Sequence, residues 1–314
     1  MAQVNRKIRA ARLSVATASG LAVLKLVTGL LTGSMAILSS AVDSLLDILM
    51  SGVNLVAITQ AEKPADQSHP FGHGKYETLA TLAQSSIIAL SGLLIIAESI
   101  RRLLTGSELR GVEGGIAVLL ISLVASWLIS RHLLRVADET DSSALKADSL
   151  HFSMDVYTNA GLLVGLVVIR LLDLPWLDPV LSIAIACYIL FEAARLVRHG
   201  LRDVLDEELP EAVRAEITSL IRAHGDLHLD FHNLRTRRAG SQKIMDFHLT
   251  LCRHLSLEEA HRIADHLEKR IEEEIRGADV TIHIEPCEIE NCAHERERCP
   301  HREKVLHLID GFSK

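Results

Sequence analysis

Met35-Ala-Ile-Leu-Ser-Ser-Ala-Val-Asp43-Ser-Leu-Leu-Asp47-Ile-Leu-Met50, continuing apolar to Ile58, is a long hydrophobic run interrupted by two carboxylates. Its length matches the roughly 20 residues a helix needs to cross about 30 Å of hydrocarbon. Asp43 and Asp47 are four positions apart, which places both on one helix face. At about 1.5 Å of rise per residue they would lie roughly 12–18 Å deep. A carboxylate near mid-bilayer costs at least about 2.5–3.5 kcal/mol. A membrane span carrying two of them therefore demands a compensating cation or protons.

Working outward, five further apolar runs have similar character: Leu13–Leu31, Leu79–Ile100, Gly114–Ile129 (completed by residues to Leu134), Ala144–Leu172 and Leu177–Leu196. Six membrane helices are expected, with Lys25 deep enough in the first that it must face protein. Lys and Arg near the helix ends set the orientation. Arg6, Lys7, Arg9, Arg12, Lys63, Lys75, Arg131, Arg135, Lys146, Arg195, Arg198 and Arg202 fall on one side, against Arg101, Arg102, Arg110 and Arg170 on the other. That asymmetry places both termini in the cytoplasm of a multi-pass inner-membrane protein. The formal charge of −7 argues against a nucleic-acid partner. Five cysteines, an odd number, argue against a disulfide framework, and Cys187 and Cys252 read as packing residues.

The fifth run repeats the four-residue spacing with His151 and Asp155, at comparable depth. One nitrogen and three oxygens suit a tetrahedral Zn²⁺ site, with Fe²⁺, Mn²⁺, Co²⁺ and Cd²⁺ as competitors. Helix joining by hydrogen bonds would not need four ionisable groups. Asp148, one turn before His151, reads as a helix cap or as a proton relay.

Beyond about Gly200 the chain changes character, and eleven of its sixteen histidines lie from His224 onward. Helical periodicity over Leu209–His224 and Leu255–Ile275 alternates with strand-like Phe231–Arg238, Gln242–Cys252 and Val280–Glu285. A small cytoplasmic α+β domain follows. The division is 1–205 for the membrane domain, 206–286 for the α+β domain, and 287–314 for a charged tail expected to be irregular and mobile. If Ala239-Gly240-Ser241 closes a symmetrical hairpin, His232 lies opposite His248. His283 and Glu285 share a strand face, and His261 on the intervening helix could cover the cluster. Asp66, His69 and His73 after the second helix could make a three-ligand site. Cys287, Cys292, His294, Cys299 and His301 are candidate tail ligands.

The paired D-x-x-x-D of Asp43/Asp47 and H-x-x-x-D of His151/Asp155, on the second and fifth of six spans, resembles the transport site of the cation diffusion facilitator family, bacterial zinc/iron-efflux type. The likeness runs from about Arg9 to Glu285. It implies a homodimeric exporter of Zn²⁺ or related ions exchanging them for protons, a metallochaperone-like cytoplasmic domain, and no enzymatic activity. His at 151 resembles the branch preferring zinc and cadmium. The resemblance also implies zinc at the positions of His232, His248, His261, His283 and Glu285, a loop site near Asp66, and an ion pair between Lys75 and Asp206 linking the domains.

Overall fold

The run holding Asp43 and Asp47 is helix α2 (Met35–Ala61), preceded by α1 (Ala2–Thr32) and followed by α3 (Lys75–Thr105), α4 (Ile116–Thr140), α5 (Ser143–Leu172) and α6 (Leu177–Val204). The computed structural model describes residues 2–32, 35–105, 116–172, 176–288 and 300–309. Over their described residues α1, α2, α3, α4 and α6 are long and apolar enough to cross a membrane. Helix α5 has 30 residues, but its first turns are polar and enclosed by protein, with Ser143, Asp148, Ser149 and His151 all buried. Tertiary packing, rather than lipid, accommodates that half of the helix.

Helix α1 packs on α2, α3 on α6, and α4 on α5. Small residues permit the close approaches. A Cβ on Gly29 would lie 2.8 Å from Leu38 Cδ2, and one on Gly161 2.6 Å from Ile185 Cδ1. Around the N-terminal part of α1 the core is Ala10, Ala11, Leu133, Leu145 and Phe152. Lys25 faces protein, donating from Nζ to Ser44 Oγ at 2.9 Å. Asp148 is not a cap. It is completely buried in the second turn of α5 and accepts hydrogen bonds from three other helices. Cys187 is exposed on α6 beside exposed Tyr188, so it does not pack inside the bundle, whereas Cys252 is buried.

The chain divides into two units, Met1–Val204 and Leu205–Lys314. The second contains α7 (Glu211–Ala223), β1 (Asp230–Ala239), β2 (Gln242–Leu251), α8 (Leu257–Glu274), β3 (Ala278–Pro286) and α9 (Pro300–Ile309). The sheet order is β1-β2-β3, with β1/β2 antiparallel and β2/β3 parallel. Met245, Phe247, Leu249 and Leu251 alternate inward from β2 onto Ile217 and Ile221 of α7 and Ile263, Leu267 and Ile271 of α8. A reciprocal Ser256/Glu259 capping box starts α8.

Two expectations need correction. The hairpin closes through Gly240 and Ser241 alone, because Ala239 pairs with Gln242. His232 still faces His248, since a bulge between His232 and Arg235 adds a residue to β1 and Asn233 takes φ 53° there. The tail is not irregular throughout. Helix α9 buries Val305 and Ile309 in the unit's core, and apolar side chains at that spacing outweigh the surrounding charge.

Candidate metal centres

Helix α2 presents Asp47 and helix α5 presents His151 and Asp155, one turn apart on the same face. His151 Nε2 lies 3.0 Å from Asp47 Oδ1, and one ligand atom from each of the three residues lies within 4.8 Å of the others. Zinc bond lengths of about 2.0–2.2 Å put tetrahedral ligand atoms roughly 3.3 Å apart. A small contraction therefore suffices to enclose a divalent ion. An Nε2 proton shared with Asp47 and a metal ion between the two groups exclude each other, which makes proton and metal binding competitive at this position. Asp43 lines the same cavity, of about 690 Å³, but is exposed and stands outside the three-residue group. It sits one turn before Asp47 on α2.

The loop 62–74 is shaped by Asp66. Its Oδ1 accepts from the amides of Ser68 and His69, at 2.9 and 2.7 Å. The His69 amide, then the His69 ring and the Ser68 amide, hold the Asp66 carboxyl below its ordinary value. Asp66 Oδ2 lies 3.3 Å from His73 Nε2, and His69 Nδ1 lies 3.2 Å from Asp66 Oδ1. His73 Nδ1 sits 3.2 Å from Pro64 O. Pro64 O can only accept, so Nδ1 donates there and Nε2 is the ring nitrogen turned toward Asp66. The three residues gather as a potential ligand group.

In the sheet, His232, His248 and His283 stand abreast on three adjacent strands. Ring centroids are 5.2 Å apart for His232/His248 and 4.8 Å for His248/His283. Glu285 spans the row, with Oε1 2.7 Å from His248 Nδ1 and Oε2 3.3 Å from His232 Nε2. His232, His248 and Glu285 form a tight group, while His283 Nε2 lies 3.8 Å from Glu285 Oε1 at its margin. His261 does not join the group. It is exposed on α8, where Ala260, Ile263, Ala264 and Leu267 take the buried stripe. Of the tail candidates, Cys292, His294 and Cys299 lie outside the described residues. The amide of Cys287 donates to Leu251 O at 2.9 Å, and His301 is on α9 with a buried Nε2 that lacks a hydrogen-bond partner. Asp206 accepts from Arg237 at 3.3 Å within its own unit.

Sequence reasoning missed a buried polar layer near the start of α1. Lys7 donates to Glu62 and Glu77, and Asp148 gathers Ser14, Ser51 and Gln84. Lys7 had served only as an orientation signal. The one hint was Glu77, a carboxylate opening a helix within an otherwise apolar stretch.

Residues 11–205 match the family model described as the cation efflux transmembrane domain, and residues 209–287 match the cytoplasmic domain of cation efflux proteins. The cation-efflux pump FieF of Salmonella newport (strain SL254) is 36% identical over 286 residues, covering 90% of this chain and 93% of the relative. FieF of Salmonella heidelberg (strain SL476) matches to the same extent. Among solved structures, CzrB, described as a candidate zinc transporter, matches at 34% identity over 26% of this chain and 99% of that one, with a TM-score of 0.25. Its zinc form matches at 33% identity over 28% and 99%, with a TM-score of 0.26.

Proposed function

Since the chain belongs to the cation diffusion facilitator family of cation-efflux transporters, we propose that it exports Zn²⁺ from the cytoplasm in exchange for protons, by alternating access around Asp47, His151 and Asp155. The observation that carries this reading is the 3.0 Å approach of His151 Nε2 to Asp47 Oδ1, with Asp155 in the same group, inside a bundle of membrane helices. Asp43 completes the coordination by turning into the cavity it already lines. A site facing the cytoplasm loads the ion and sheds protons. Facing a more acidic exterior, it takes protons back and releases the ion. Each net charge moved adds about 2.3 kcal/mol per 100 mV of membrane potential. Fe²⁺, Mn²⁺, Co²⁺ and Cd²⁺ are competing cargoes.

The exporter works as a homodimer in the inner membrane with both termini cytoplasmic. Zinc at His232, His248 and Glu285, with His283 beside them and His261 recruited on dimerisation, stabilises the cytoplasmic units. The Asp66/His69/His73 group is a second cytoplasmic-face site. The deciding experiment is zinc flux in proteoliposomes under an imposed pH difference. Wild-type flux should rise as the side opposite the termini is acidified, and Asp47→Ala or Asp155→Ala should abolish it while leaving the dimer intact. Undiminished flux in both variants removes the site. Flux indifferent to the pH difference makes the protein a passive channel.

A further inference from the structure

The cavity at the proposed transport site extends in one direction. From Asp47, His151 and Asp155 its lining runs past Lys25 and Thr158 to Glu98 and Arg102, near the C-terminal end of α3. In the opposite direction the helices are closed by buried polar contacts. Lys7, 3% exposed, donates from Nζ to Glu62 Oε1 at 2.5 Å and to Glu77 Oε1 at 3.1 Å. Ser142 Oγ donates to Glu77 Oε2 at 2.9 Å. These groups come from the start of α1, the residue after α2, the first turn of α3 and the α4–α5 link, so one layer ties four helices. Beneath it, Asp148 accepts from Ser14 Oγ at 2.5 Å, Gln84 Nε2 at 3.2 Å and Ser51 Oγ at 3.3 Å.

We propose that Lys7 controls access to the transport site from the end of the bundle that bears the N-terminus of α1. One ammonium holds two carboxylates, and the layer parts when that ammonium withdraws. Glu77 is 1% exposed and has only Lys7 as a cationic contact among the described pairs. Without the ammonium, two carboxylates would remain in an enclosed, poorly hydrated place, where unpaired charge is strongly disfavoured. While ionised, their relief is hydration, which means separation of the helix ends, whereas neutralisation by protons would leave the layer shut and labelling unchanged. The layer carries one positive and two negative groups, so its opening presents carboxylates rather than an ammonium to an incoming cation. The inference takes from the proposed function only that ions enter at this end. The closure itself is read from the contacts.

The test follows Ser51, which is 0% exposed and one turn from Asp47 beneath the Lys7 layer. In full-length protein freed of native cysteines and reconstituted in vesicles, Ser51→Cys is treated with a membrane-impermeant methanethiosulfonate reagent from either side. Lys7→Met should raise labelling about tenfold from the side of the termini and not from the other, as a modest population shift requires. Lys7→Arg should label as slowly as the parent. Adding Glu77→Gln to Lys7→Met removes one orphaned carboxylate and should slow labelling again. Glu77→Gln alone, which orphans no anion, should raise labelling slightly and provides the reading if Lys7→Met does not fold. Unchanged labelling in every variant, equal acceleration from both sides, or a double variant as fast as Lys7→Met overturns the proposal. Labelling needs no transport, so a failure of the transport-site assignment, seen as undiminished flux in Asp155→Ala, leaves this result readable.

Discussion

His151 contributes the only nitrogen to an otherwise all-carboxylate group, the proposed transport site, and its ring faces Asp47. Imidazole favours zinc-like ions over harder ones, while an all-oxygen set suits Mn²⁺ and Mg²⁺. Replacing it, as His151→Asp, should lower Zn²⁺ and Cd²⁺ flux relative to Mn²⁺ by about tenfold, one pK-scale step in ligand preference. A metal-panel flux assay with unchanged ratios would remove His151 from the selectivity argument. Glu285 poses a question of reach, since its two oxygens touch His248 and His232 separately. Glu285→Asp shortens the arm by one methylene and should shrink the zinc-induced rise in melting temperature of the full chain. An equal rise would show that the length of the Glu285 arm does not limit binding. Asp47, His151 and Asp155 were legible because lipid leaves ionisable groups little other reason to be there. Lys7 and Glu77 were not, because basic residues at helix ends already had an explanation and nothing in the sequence pairs positions so far apart. His261 stands outside the group because which helix face meets the sheet is decided by packing, and its neighbours Ala260 and Ile263 take the buried side.

Among the elements, β1 is the most informative. Before the bulge Phe231 points inward and His232 outward, whereas after it Leu234 and Thr236 take the inward positions. Without that extra residue the even positions would all face the core, and His232 would turn away from His248. Asn233 makes the switch at φ 53°, a conformation asparagine accepts more readily than branched residues. Asn233→Val should therefore destabilise the strand by about 1–2 kcal/mol and largely abolish zinc-dependent stabilisation. Asn233→Gly should keep both. Thermal melts with zinc and with chelator separate the outcomes, and a normal zinc response in Asn233→Val would mean the bulge does not set the pair. The histidine pairing was readable from the sequence, but through a turn one residue too long. The structure reaches the same pair with a shorter turn and a bulge, two offsets that cancel. Apolar periodicity placed the strands within a few residues, because burial rewards it directly, whereas the long helices outrun their apolar stretches, α1 starting at Ala2 rather than Leu13 and α6 ending at Val204 rather than Leu196. It failed at α9, where four apolar side chains, Val305, Leu306, Leu308 and Ile309, sit in a short stretch that is otherwise charged.

At the scale of the molecule, α9 lies beyond residue 287, where the match to the cytoplasmic-domain family ends, yet it completes the second unit's core. Val305 is 0% and Ile309 1% exposed, Arg262 donates to Ile309 O at 2.7 Å, and Lys304 pairs with Asp226 at 2.5 Å. Burying two such side chains contributes at most about 3–6 kcal/mol. Against this stand His228 Nδ1 and His301 Nε2, both buried without a hydrogen-bond partner. Burial, then the Lys304 ammonium and the His228 ring, hold His301 below its ordinary value. The docked state thus binds protons less readily than the undocked one, so docking is favoured above the ordinary histidine range and weakens as pH falls through about 6.5. Removing residues 289–314 should lower the melting temperature of the full chain at about pH 7.5, and the deficit should shrink at about pH 5.5. Chelator in both samples removes the metal contribution, and the histidines on the sheet are common to both chains and cancel in the difference. No deficit at the higher pH would mean that α9 contributes no net packing. A deficit independent of pH would mean that His301 stays neutral throughout, and the helix would then be a fixed part of the unit rather than one that acid can loosen.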